Sequence, residues 1–109
     1  MTDTKRIADV RIIAQRRLRL WDEPERDVRV LIGQPEPDPE SSADDHRCPY
    51  QVIGIGDQEM RYGYGVDGIQ ALELVISRAL PAWLGVLKKE YPTLGWEDAD
   101  TGDFGFLAT

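Results

Sequence analysis

A chain of 109 residues with 41% hydrophobic and 30% charged side chains is sized for one domain around one core, and is too apolar for disorder throughout. Its net charge of −7 is unevenly placed: residues 1–20 carry Lys5, Arg6, Arg11, Arg16, Arg17 and Arg19, whereas residues 21–47 carry nine acids against Arg26, Arg29 and Arg47. The arginines lie along one expected strand and the acidic remainder repels phosphate, so that balance disfavours a nucleic acid, and Cys48 alone cannot form an intrachain disulfide.

No N-terminal apolar stretch resembles a signal peptide, and no apolar run approaches the ~20 residues of a membrane span. We therefore expect no nucleic-acid partner, no membrane and a cytoplasmic setting.

From Ala8 to Leu20 the even positions Ala8, Val10, Ile12, Ala14, Leu18 and Leu20 are apolar, against Arg11, Gln15, Arg17 and Arg19. This alternation predicts a half-buried strand over residues 11–20. Arg16 interrupts it and marks a bulge or an edge. Ile7, Val10, Ala14 and Leu18 also share a helical face, so residues 5–11 stay open between strand and helix.

Asp22-Glu23-Pro24-Glu25 reads as a turn, and Val28, Val30 and Ile32 alternate again, giving an antiparallel hairpin. Residues 33–49 hold Pro35, Pro37, Pro39 and Pro49 among acids and serines. Proline cannot donate to a ladder, so the whole stretch is expected as a long acidic loop within the single domain.

Tyr50 to Ile55 predicts a third strand, and Gly56-Asp57-Gln58-Glu59 a turn. Met60, Tyr62 and Tyr64 then occupy one face of a fourth strand, while Gly63 and Gly65 leave the other face bare for close approach. Asp67 as N-cap with Gln70 three positions on completes a capping-box pattern. Ile69, Leu72, Ile76, Ala79, Leu80, Trp83 and Leu87 form a stripe at helical spacing. Pro81 should kink that helix, Pro92 should end it, and Leu94-Gly95-Trp96 supplies a short last strand. The expected fold is α+β: an antiparallel sheet of about four or five strands, covered on one face by a long C-terminal helix kinked at Pro81.

Motifs that could carry chemistry fail on inspection. Gly63-Tyr64-Gly65-Val66-Asp67-Gly68 matches G-x-G-x-x-G, but no apolar strand follows the helix, and Asp67 stands where a pyrophosphate would rest. Asp44-Asp45-His46-Arg47-Cys48 gathers metal-ligand types without the second cluster that a zinc site draws on. His46 and Cys48 lie roughly 6.5 Å apart by backbone rise, too far for direct proton transfer. The stretch from Asp98 to Asp103 puts Gly102, Asp103 and Thr109 where a calcium loop requires an acid or amide, a glycine and a glutamate. No catalytic, cofactor-binding or metal-binding residue is assigned, and we expect no enzyme.

The run Arg47-Cys48-Pro49-Tyr50-Gln51-Val52-Ile53-Gly54, followed by Tyr64-Gly65-Val66-Asp67-Gly68-Ile69-Gln70-Ala71-Leu72, resembles a bacterial family of small uncharacterised domains. In that family a Cys-Pro-Tyr strand precedes a Gly-x-Asp-x-(Ile/Val)-Gln-Ala-Leu helix start. Ile13-Ala14 to Leu20 and Leu94-Gly95-Trp96 are similar too, so the likeness covers most of the chain. It implies a fold and a bacterial setting, with no assigned activity.

The leading functional expectation is a small acidic domain that binds a basic protein, such as an immunity-type inhibitor of a bacterial toxin. Glu36, Asp38, Glu40, Asp44 and Asp45 would mimic a polyanion, with Trp21 and Trp96 as interface anchors. Two alternatives stand beside it: a small-molecule sensor or enzyme with its pocket between sheet and helix near Tyr62, Tyr64 and Gly65, and a homo-oligomeric structural module.

Overall fold

The computed structural model describes residues 11–96 and 104–106. Strand β1 (Ile12–Leu20) pairs antiparallel with β2 (Val28–Gly33), as the alternation predicts. The choice between strand and helix for residues 5–10 and the acidic stretch 97–103 lie outside the described residues.

The expectation that residues 33–49 form one loop is corrected. A two-residue strand β3 (Glu36–Pro37) pairs with the start of β4 (His46–Ile53), and β2 pairs with the remainder of β4. The register runs from Arg29↔Ile53 to Ile32↔Tyr50 and resumes at Glu36↔Arg47, so Gly33, Gln34 and Pro35 oppose only Cys48 and Pro49. β2 and β3 are thus one strand interrupted by a bulge. Pro35 and Pro49 sit where that ladder lapses, so on this side of β4 their missing N–H groups interrupt no pairing. The irregular part shrinks to residues 38–45, which the Asp38 N–H closes by donating to the Asp45 carbonyl at 2.9 Å.

β4 also pairs with β5 (Arg61–Gly65), and β6 (Leu94–Gly95) pairs antiparallel with the end of β1. Cys48, Tyr50 and Val52 in β4, Val28, Val30 and Ile32 in β2, and Leu18 and Leu20 in β1 share the buried face. Ile12, at the other end of β1, is 41% exposed.

The helix comprises α1 (Gly68–Leu74), a π turn (Val75–Ala79) and α2 (Leu80–Glu90). Its first turn is capped as expected: the Gln70 N–H donates to Asp67 Oδ1 at 2.8 Å, and Gln70 Oε1 accepts from the Val66 N–H at 2.8 Å. The break predicted at Pro81 takes the form of the π turn just before it, where the Leu80 N–H reaches back to the Val75 carbonyl. Widening the turn relieves the pressure a proline ring exerts on the preceding turn.

The π turn also corrects the predicted stripe. The buried positions are Ala71, Val75, Leu80, Leu84 and Leu87, so the spacing stretches to five between Val75 and Leu80. Ile69 and Ile76, expected in the core at a constant period, are 71% and 36% exposed. Because the helix runs on through Pro81, Gly68–Glu90 reaches 23 residues and has the length and composition of a membrane span, contrary to the expectation that no run comes close. Here its buried face packs on the sheet: a Cβ on Gly63 would lie 2.5 Å from Val75 Cγ2, and one on Gly65 2.5 Å from the Ala71 nitrogen.

The turn between β4 and β5 is held to α2. The Arg61 guanidinium lies 3.5 Å from the Trp83 ring centroid, and it meets both carboxylate oxygens of Asp57 at 3.0 Å. The hydrogen bond from Arg61, helped by the Glu59 N–H, holds the Asp57 carboxyl down at about 2 instead of its ordinary 3.8. A depressed carboxyl stabilises the fold above its unfolded value and ceases to do so as pH falls towards the folded one. We expect Asp57→Asn to lower stability at pH 7 by less than about 1 kcal/mol, since solvent screens this exposed pair. Urea denaturation should show the difference from wild type closing between pH 4 and pH 2.

Candidate functional site

The acids singled out in the sequence gather at one end of the sheet, where β3 and β4 meet the C-terminus of β5 and the start of α1. They are not equally available. Arg47 clamps Glu36, with its Nε and second terminal nitrogen 3.0 and 2.8 Å from one carboxylate oxygen, and the same guanidinium lies 4.3 Å from the Tyr62 ring centroid. Glu36 is a cross-strand partner of Arg47 and belongs to the scaffold.

Asp38 Oδ1 accepts from the Glu40 N–H at 3.0 Å, and Asp45 Oδ2 accepts from the Ser41 hydroxyl at 3.0 Å. These bonds order the loop and fix the directions of its carboxylates. Glu40 and Asp44 stand on the same turn and are exposed.

Beside this loop the surface turns apolar. Asp38 and Asp45 line a shallow open depression with Tyr64, Gly65, Val66 and Gln70. Tyr64 is 53% exposed and Val66 67%, and Ile69 follows in the first turn of α1. Ile69 is expected in the core when the helical stripe is extended to it at constant period, and Val66, which precedes the helix, is given no role by that pattern. The outward direction of Tyr64 was legible, because Gly63 and Gly65 mark the opposite face as the one the helix covers.

The two tryptophans do not join this site. Trp21 follows the far end of β1, is 38% exposed, and carries the Arg19 guanidinium 5.0 Å from its ring centroid. Trp96 is packed against the core with Arg16 4.2 Å from its ring centroid, so it is no exposed anchor. The pocket expected between the sheet and the helix beside Gly65 is filled: a Cβ there would lie 2.8 Å from the Gln70 carbonyl carbon.

The potential metal ligands diverge. His46 Nδ1 lies 3.2 Å from the Asp44 carbonyl oxygen, Asp45 is bonded within its loop, and the Cys48 thiol points inward to the Gly33 carbonyl at 3.4 Å. No metal-ligating cluster occurs among the described residues. Burial pushes the Cys48 thiol up to about 11, so at neutral pH it is a small hydrophobe and not a thiolate.

The face of the sheet away from the helix carries arginines, yet acids meet them locally. Arg17 and Arg29 stand opposite each other across β1 and β2, and the Asp27 carboxylate reaches both, at 3.4 and 3.1 Å. Arg26 pairs with Glu23 at 2.7 Å.

These features define a two-layer antiparallel α+β domain in which no buried side-chain polar atom of the described residues lacks a partner. The chain belongs to a family of domains of unknown function, DUF6968, whose model matches residues 14–108. No curated protein and no solved structure matches it.

Proposed function

We propose that this domain is a binding module for a basic protein, docked at the end of the sheet where the acidic loop meets Tyr64, Val66 and Ile69, and that it is not an enzyme. One observation carries the reading: a depression shared by Asp38 and Asp45 with Tyr64 and Val66, the latter two exposed at 53% and 67%. Apolar side chains that would gain from burial lie against carboxylates that a cationic partner would neutralise. The net charge of −7 steers such a partner over distance and repels polyanions. Within this class, a partner with a cationic groove, such as a nuclease toxin held by an immunity-type inhibitor, matches the acidic loop best.

The test is capture from extract of the native host by wild type and by the quadruple variant Asp38→Asn, Asp45→Asn, Val66→Ser, Ile69→Ser. All four positions lie at the surface, and asparagine keeps the acceptors that order the loop. The expected result is a basic protein retained by wild type at low salt and reduced by about tenfold or more with the variant, the loss of at least 1.4 kcal/mol of binding energy. Equal retention by both proteins, or no basic protein on either, overturns the proposal.

A further inference from the structure

Arg16, the residue that breaks the alternation of β1, leads to a second site that shares no lining residue with the depression beside the acidic loop. It stands opposite Val30, on the helix side of the sheet with Leu18. A cation on a core-facing position needs compensation, and here aromatic rings supply it. The guanidinium lies 4.2 Å from the Trp96 centroid and 4.9 Å from the Phe106 centroid, and one terminal nitrogen donates to the Phe104 carbonyl at 3.0 Å. Among the described residues no carboxylate pairs with it. A guanidinium has five N–H donors in a fixed fork, and among the described residues the Phe104 carbonyl engages one of them.

Next to this held cation is a cavity of about 230 Å³, walled by Ala14, Val30, Ile32, Ile76 and Phe106, with Arg16 among its lining residues. Its origin is the π turn, which rotates Ile76 out of the buried stripe so that it flanks the space without filling it. An apolar cavity with one oriented charge is the usual composition of a small-ligand site.

We propose that this cavity binds a small monocarboxylate with an apolar body. The carboxylate sits bidentate on the Arg16 fork, and the chain lies along Val30, Ile32 and Ile76. A neutral apolar ligand would bury the guanidinium without a counter-charge, and a phosphate would leave oxygens facing aliphatic walls. The space holds on the order of eight water-sized groups, which suits a short acyl or arylalkyl acid.

The probe is hexanoate, titrated into the isotope-labelled full chain while amide and Arg16 Nε signals are followed by NMR. The expected result is saturable shifts at Gln15, Arg16, Ile76 and Phe106, with hexan-1-ol weaker by about tenfold for want of the charge-assisted pair. Arg16→Gln should weaken hexanoate to the level of the alcohol, and Ala14→Leu, at an exposed strand position, should abolish both by filling the cavity. Equal binding of acid and alcohol, undiminished binding to Arg16→Gln, or no saturable shift at these residues in the wild-type chain overturns the assignment.

Discussion

Gly65→Ala is expected to lower the stability of the domain by about 3 kcal/mol, the upper part of the range for overpacking a close contact. Its Cβ would lie 2.5 Å from the Ala71 nitrogen, 2.8 Å from the Gln70 carbonyl carbon and 2.9 Å from Gln70 Cβ. Two of those atoms are backbone in the first turns of α1, so no rotamer change makes room. The helix must lift from β5, and the cap that Asp67 and Gln70 build must distort with it. Gly63→Ala meets Val75 Cγ2, a side-chain atom, with the nearest backbone atoms at 3.4 Å, and should cost less even though that buried β-branched side chain has little freedom to rotate.

Gly85, with nothing within 4 Å of its added Cβ, provides the control. It lies on the exposed side of α2, and alanine there should stabilise by roughly 0.5–1 kcal/mol through helix propensity. Urea denaturation of the three variants should place them in the order Gly85→Ala above wild type, then Gly63→Ala, then Gly65→Ala. A Gly65→Ala protein as stable as wild type would mean that α1 does not lie directly on β5.

The second large effect is expected at Leu84. Its side chain is fully buried on the face of α2 that covers the sheet, alongside Leu80 and Leu87. Leu84→Ala removes buried methyl and methylene groups and leaves a cavity, which together cost about 3–4 kcal/mol at fully enclosed sites. Val86, two residues further on and 54% exposed, should change stability by less than about 0.5 kcal/mol on conversion to alanine. Both variants keep the helix backbone, so the contrast between them in thermal or urea unfolding reports packing alone. Comparable losses at the two positions would place the buried face of α2 elsewhere.

Much of this fold is written locally. The strands β1 and β2, the Asp67–Gln70 cap, the bare Gly63–Gly65 face and the short strand at Leu94 each depend on a few adjacent residues and are read correctly from them, although in β1 only Leu18 and Leu20 of the apolar alternation are buried. The readings that needed correction depend on partners far along the chain. Residues 33–49 carry every sign of a loop, but Glu36 and Pro37 pair because His46 and Arg47 come alongside. Three residues opposing two is a property of a pair of strands, and proline content in one of them does not disclose it.

The candidate surfaces divide in the same way. The acidic loop is plain in the composition, while the clamping of Glu36 by Arg47 depends on cross-strand register. The exposure of Ile69 and Ile76 follows from a π turn whose extra residue alters the phase of the helix, and periodicity at 3.6 residues carries no trace of it. Arg16 shows the division most sharply. Its place in β1 marks it as an anomaly, but the Trp96 and Phe106 rings that hold it belong to the other end of the chain.

By itself, then, local sequence was enough for the class of fold, the order of its main elements, the capped helix start and the acidic balance, while the third strand, expected over Tyr50 to Ile55, runs from His46 to Ile53. The tertiary structure alone decided which acids are engaged, which apolar side chains reach the surface, and where a cavity opens beside a cation. The physical reason is range: propensity, capping and alternation act over a few residues, whereas pairing register, helix phase and ring stacking are set by groups that only folding brings together.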